Sequence, residues 1–169
     1  MAQDKTAEQS GKVPSTRNKK LQRDRYPLQR LKFLGDFMTQ MGLTTTKAAE
    51  KAGLSQVGVY YWLKKDDAHL SSVEKLFDAF GYRLVFEMAD TEAPAIGTPI
   101  VSFSPAGGKR LAFLEEDILD YGVEKLAGDL GLSAAGIYYW LSQDDIFISH
   151  IYSIAEKLGK RVKVSIVSK

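Results

Sequence analysis

Cysteine is absent from this chain of 169 residues, which excludes disulfides and thiolate metal sites. Histidine occurs twice, at His69 and His150, which hold non-equivalent places in the repeat described below, and no nucleophile stands at a catalytic spacing from a base. The carboxylate pairs Asp66-Asp67 and Asp144-Asp145 read as turn and capping residues. The stretch from Ser104 to Arg110, although it contains Gly107-Gly108-Lys109, lacks the GxxxxGK[ST] spacing of a phosphate loop. A non-enzymatic protein without cofactor or metal is the expectation. No apolar run approaches the roughly 18 residues needed to cross a bilayer, so no membrane partner is expected. The polar start from Met1 to Arg25 has no apolar signal segment, which points to a cytoplasmic setting.

Charge is nearly balanced overall, 23 Lys/Arg against 21 Asp/Glu, but it is unevenly placed. Residues 1 to 32 carry nine cations (Lys5, Lys12, Arg17, Lys19, Lys20, Arg23, Arg25, Arg30, Lys32) and three anions (Asp4, Glu8, Asp24), a balance of 9 − 3 = +6. Residues 90 to 169 carry eight cations and eleven anions, 8 − 11 = −3. A polyanionic partner would therefore meet the first half of the chain.

Residues 1 to 26 hold almost no large apolar side chain and are expected to form a disordered basic arm, since nothing there offsets the entropy of ordering. From Pro27 the period becomes helical: Leu28, Leu31, Leu34, Phe37 or Met38, and Met41 recur every three or four residues until Gly42. Thr44 to Thr46 offer caps for a second helix, Lys47 to Ala52, and Ser55 caps a third from Gln56 to about Lys64. A fourth begins near Ser71 or Ser72 and points Val73, Leu76, Phe77 and Phe80 inward. After Gly81, Leu84, Phe86 and Met88 alternate as in a strand.

The same order then recurs. GLSQVGVYYWLKKDD begins at Gly53 and GLSAAGIYYWLSQDD at Gly131, a shift of 131 − 53 = 78, with ten of fifteen positions identical. Gly159 matches Gly81, and Val162, Val164 and Ile166 alternate with Arg161, Lys163 and Ser165 in a second strand. A lone strand leaves its backbone unpaired, so the two strands are expected to pair with each other or across a dimer. The expected domains are 27–90 and 111–169. A linker, 91–110, holds Pro94, Pro99 and Pro105 and a possible short strand at Ile100-Val101-Ser102-Phe103.

Short helix, glycine turn and second short helix form a helix-turn-helix pattern. The run from Thr46 to Val59 resembles the core of the phage-repressor family (the Cro and lambda repressor type, XRE-like). Ala49, Gly53, Leu54, Ser55, Gln56 and Val59 fill its places for a small residue, turn glycine, core plug, cap, first reading residue and inner anchor. The likeness covers about residues 28 to 81 and more weakly 112 to 159. It implies a mainly α fold with a small β component: two tandem helix-turn-helix domains, each followed by a β-strand. The residue types have reasons of their own. Ala49 is small where two helices cross, Gly53 relieves a left-handed turn, and Gly58 is expected to admit close helix approach.

At about 100° per residue, Val59, Trp62 and Leu63 face inward, Tyr60 lies on a flank, and Val57, Tyr61, Lys64 and Lys65 face outward. The resemblance makes that outer face a major-groove reader. The expected DNA contacts are Thr46, Ser55, Gln56, Val57, Tyr60, Tyr61, Lys64 and Lys65, with Lys19, Lys20, Arg23 and Arg25 as arm contacts. In the second copy the scaffold letters persist while Gln56-Val57 becomes Ala134-Ala135 and Lys64-Lys65 becomes Ser142-Gln143. Glu115, Glu116, Asp117 and Asp120 add anions there. The expectation is a sequence-specific regulator of double-stranded DNA, of phage or mobile-element character. Its first repeat reads DNA, and its second is structural, oligomerising into a homodimer or binding a protein partner. Uneven charge favours one half-site per chain. The alternatives are an assembly module that keeps this fold without specific DNA binding, and an antitoxin-like regulator.

Overall fold

The computed structural model describes residues 29–90 and 108–169, and it is mainly helical with one small antiparallel sheet. The chain order is α1 (Lys32–Gln40), α2 (Thr45–Ala52), α3 (Gln56–Lys65), α4 (Leu70–Ala79), β1 (Tyr82–Asp90), α5 (Ala112–Tyr121), α6 (Val123–Leu130), α7 (Ala134–Gln143), α8 (Ile148–Leu158) and β2 (Lys160–Ser168). Four helices and a strand thus occur twice, as a first and a second unit. No helix of the described residues is long and apolar enough to cross a membrane. Residues 1–28, with the basic arm, and 91–107, with Ile100 to Phe103, lie outside the described residues.

Local sequence explains where the helices stop and start. Gly53, Gly131 and Gly159 close α2, α6 and α8 in the left-handed region, at φ 62°, 67° and 66°, where a side chain would be strained. Ser55 and Ser133 cap α3 and α7 by accepting the N–H of Gly58 and Gly136. The reason expected for Gly58 is corrected here. A Cβ at Gly58 would meet only Ser55, at 3.5 Å, and one at Gly136 would meet Ser133 Oγ at 3.2 Å. These glycines leave space for the capping hydroxyl, and no neighbouring helix approaches them.

Asp66 and Asp144 end α3 and α7 at positive φ, 54° and 52°, an unusual conformation for a side chain. Their carboxylates show why it is held. Asp66 accepts the backbone N–H groups of Arg30 (3.0 Å) and Leu31 (2.8 Å), while the Arg30 guanidinium donates to the Asp66 carbonyl at 2.8 Å. Asp144 does the same for Arg110 (2.7 Å) and Leu111 (2.8 Å), and Arg110 donates back at 2.7 Å. Each third helix is thereby buckled to the start of its unit's first helix, and Lys109-Arg110, at the end of the expected linker, belong to the second unit.

The units differ in one joint. Four residues, Met41 to Thr44, separate α1 from α2, and Thr44 caps α2 by accepting the Lys47 N–H. Only Gly122, at φ 96°, separates α5 from α6, with no side-chain cap. The offset between the copies is accordingly 111 − 31 = 80 before the joint and 137 − 59 = 78 after it.

The two copies pack face to face about a pseudo-two-fold axis. β1 pairs antiparallel with β2 along all nine residues, and Phe86 lies opposite Val164, its own counterpart at 164 − 86 = 78. An isolated bridge likewise joins His69 to Phe147, at 147 − 69 = 78. The bonds around that bridge are reciprocal. Leu70 N–H donates to Ile146 O and Ile148 N–H to Ala68 O, both at 2.9 Å. Asp145 takes the Ser71 N–H (2.9 Å) and hydroxyl (2.6 Å), and Asp67 takes those of Ser149 (2.8 and 2.6 Å). Each unit therefore caps the fourth helix of the other, so α4 starts at Leu70, just before the expected Ser71 or Ser72. One continuous apolar cluster runs through both units, from Leu31, Val59 and Phe77 to Leu111, Ile137 and Ile154, and no polar residue among those described is buried.

Candidate nucleic-acid interface

The α3 helix is held from three sides: its N-terminus by the Ser55 cap, its C-terminus by the Asp66 buckle, and its inner face by Val59 and Leu63, which are buried. What remains outward is a ridge. Val57 (62% exposed), Tyr61 (45% exposed), Lys64 and Lys65 follow one another at i, i+4, i+7 and i+8, one side of a helix, and Gln56 opens the helix beside Val57. The Nζ atoms of Lys64 and Lys65 each lie 5.7 Å from the centre of the Tyr61 ring, so the aromatic face gathers both cations around it.

The other expected residues divide. Thr46 is exposed in the first turn of α2, on the element that precedes the ridge. Ser55 is exposed, and its hydroxyl accepts the Gly58 N–H at 3.3 Å, which leaves its O–H free to donate and one lone pair free to accept. Tyr60 is half-buried, its ring edge-on to Tyr61 at 5.7 Å, so it supports the ridge more than it extends it. Trp62, expected to face inward, is half-buried against the core, and Trp140 is half-buried and stacks on His150 at 4.5 Å. Lys19, Lys20, Arg23 and Arg25 lie outside the described residues. Lys47 is a cation that sequence reasoning passed over. It is exposed beside Thr46, and its i, i+4 spacing to Lys51 was the available signal.

The corresponding face of the second unit has a different character. Residues 45–65 hold Lys47, Lys51, Lys64 and Lys65 against Glu50, 4 − 1 = +3, whereas residues 123–143 hold Lys125 against Glu124 and Asp129, 1 − 2 = −1. Tyr138 and Tyr139 are about half and two-thirds exposed (49% and 63%), and Leu132 is also exposed. The Glu124 carboxylate raises the Tyr138 phenol above its ordinary pKa, chiefly through its charge, and accepts the phenol's hydrogen at 3.3 Å. Tyr121 is raised likewise by its hydrogen bond to Asp129. Carboxylates in these places oppose a phosphate backbone.

Between the units, Arg110 donates to Glu74 at 2.5 Å. Burial, the largest influence, pushes the Glu74 carboxyl up, against the lowering effect of Arg110. The capping role expected of the paired carboxylates takes definite form at this junction. The His69 ring packs on Phe147 at 3.8 Å, with Nδ1 3.4 Å from Asp145, and Asp67 and Asp145 are caps. Set beside known proteins, the chain finds no match among family models, curated proteins or solved structures.

Proposed function

We propose that the chain is a sequence-specific DNA-binding regulator in which α3 enters the major groove and the second unit completes the scaffold. The observation that carries this reading is the outward ridge of Gln56, Val57, Tyr61, Lys64 and Lys65 on a helix that its caps and inner face hold rigid. A glutamine amide pairs bidentately with adenine N6 and N7, and a valine side chain suits the thymine methyl. Lysine ammonium groups and a phenol beside them suit phosphate oxygens. The likeness of residues 46 to 59 to phage-repressor helix-turn-helix domains supports the same assignment of roles. The basic arm would add a sequence-neutral attraction to the backbone.

Selection from a randomised duplex library, followed by fluorescence anisotropy on the enriched sequence, tests the reading. An enriched motif is expected, with Gln56→Ala plus Tyr61→Ala costing about 1–3 kcal/mol of discrimination per lost base contact. Absence of any enriched motif, or unchanged discrimination in the double variant, would refute base readout.

A second reading rests on the exposed Leu132, Tyr138 and Tyr139 of the second unit, an aromatic face suited to a protein surface. In that reading the chain is an assembly component, with weak, salt-insensitive DNA binding and a stable protein complex lost on Tyr139→Ala.

A further inference from the structure

The pseudo-two-fold axis decides what kind of site such a protein would occupy, an inference that rests on the DNA-binding reading above. Two-fold readers ordinarily assemble from two chains, each supplying one reading helix to one half of a palindrome. Here strand pairing and reciprocal helix caps join two such units within one chain. All nine residues of β1 pair with β2, and the Asp67–Ser149 and Asp145–Ser71 caps close both sides of the bridge.

The reading helices flank that bridge on one end of the axis. A cleft of about 430 Å³ is lined by His69 and Ser71 from the first unit and by Tyr139, Trp140 and Gln143 of α7. The C-terminal half of α7 thus borders the axis, and the pseudo-symmetry sets the C-terminal half of α3 at the matching place across it. The two helices are related by an internal pseudo-two-fold, as a dimer's are by its axis, yet they are chemically unlike. Where α3 carries Gln56, Val57, Lys64 and Lys65, α7 carries Ala134, Ala135, Ser142 and Gln143. Two methyl groups and a hydroxyl carry neither the base contact of Gln56 nor the charge of Lys64, and Gln143 puts a neutral amide, at the far end of the helix, where Lys65 has an ammonium.

We infer that a single chain binds a duplex lacking inverted symmetry. α3 specifies one half of the site, and α7 lies over an adjoining half of unspecified sequence.

The test uses the full chain and duplexes of about 30 base pairs, long enough for two half-sites a helical turn apart. Selection is expected to return one short motif without its inverted partner, and native mass spectrometry one chain per duplex. An inverted repeat holding two chains would overturn the inference and leave base readout by α3 standing. No enriched motif would overturn both. A second arm excludes exchange of strands between chains. Arg83 and Val167 are exposed partners in the sheet register, and the chain has no other cysteine to interfere when Arg83→Cys and Val167→Cys are introduced together. The oxidised, internally locked monomer is expected to keep the selected motif within about twofold in affinity. A loss of about tenfold or more, recovered on reduction, would show that two open chains are required and overturn the inference.

Discussion

At the seam between its first helix and its strand, the first unit sets the Phe37 ring edge-on to Tyr82, with centroids 5.4 Å apart. The second unit sets Asp117 against Lys160 at the same two places, 117 − 37 = 80 and 160 − 82 = 78, with 2.7 Å between Nζ and Oδ1. The exchange continues inward. Phe33, Phe37, Phe77 and Phe80 make an aromatic nest in the first unit, whereas the counterparts of Phe77 and Phe80 are Ala155 and Leu158. Core chemistry has therefore diverged while the turn glycines, serine caps and aspartate buckles have not. Cap and turn positions fix the geometry of the backbone, and many apolar sets of suitable volume fill the space between.

That contrast makes the first unit the more fragile to truncation. Phe77 is fully buried, and Phe77→Ala is expected to cost about 3–5 kcal/mol by urea unfolding. Ala155 has no side chain beyond Cβ to lose, and Ala155→Gly is expected to cost about 1 kcal/mol through helix propensity. Because the core is continuous, a single transition should report both variants. Two transitions would break the picture of one folding unit.

The junction should behave in the opposite way, symmetrically. Asp67→Ala and Asp145→Ala each remove a cap from the other unit's fourth helix, and each is expected to cost about 1–2 kcal/mol. Unequal losses would show that the reciprocal bonds are not energetically equivalent.

A smaller effect is expected at the seam. Lys160 and Asp117 keep about a quarter of their side-chain surface in water. Lys160→Met should therefore cost only about 1 kcal/mol. Importing the first unit's pair, Asp117→Phe with Lys160→Tyr, should recover at least that loss.

The smallest effect concerns His150, whose counterpart is Ser72 (150 − 72 = 78). Burial against Trp140 lowers the His150 pKa from 6.5, outweighing the opposing charge of Asp67. A histidine depressed in the folded state adds stability above the unfolded value, near 6.5, and that stability is lost as pH falls through the lower folded value. The wild-type unfolding midpoint should drop slightly more than that of His150→Ser over this window. A histidine NMR titration with a midpoint above 6.5 would reverse the sign.

Much of the local architecture was legible because it depends on neighbours in sequence. Gly53, Ser55 and the Leu84-Phe86-Met88 alternation announce a turn, a cap and a half-buried strand by residue type and period alone. The pairing of the two strands followed from backbone hydrogen-bonding need, although the choice between one chain and two did not. The Asp67–Ser149 cap spans 82 residues and the Asp145–Ser71 cap 74, and no period marks such a pair. The repeated Asp-Asp dipeptides signalled capping, yet residue type alone could not say that the first carboxylate serves its own unit and the second its neighbour. The shortened joint at Gly122 was hidden by the strong match that follows it. For the interface, helical geometry placed Val57, Tyr61, Lys64 and Lys65 outward without reference to tertiary contacts. The half-buried position of Tyr60 agrees with the flank that helical angle gave it, whereas its edge-on contact with Tyr61 depends on side-chain packing that angle does not supply.

The meeting of Phe86 with Val164 inside one polypeptide also sets how the protein responds to dilution. Separate subunits dissociate as their concentration falls below the constant for their association, so a dimer's working form declines with the square of the amount present. Halves joined by a tether meet at an effective concentration of order millimolar, whatever the abundance of the molecule. The paired form then persists at a handful of copies, and its supply rises in simple proportion to synthesis.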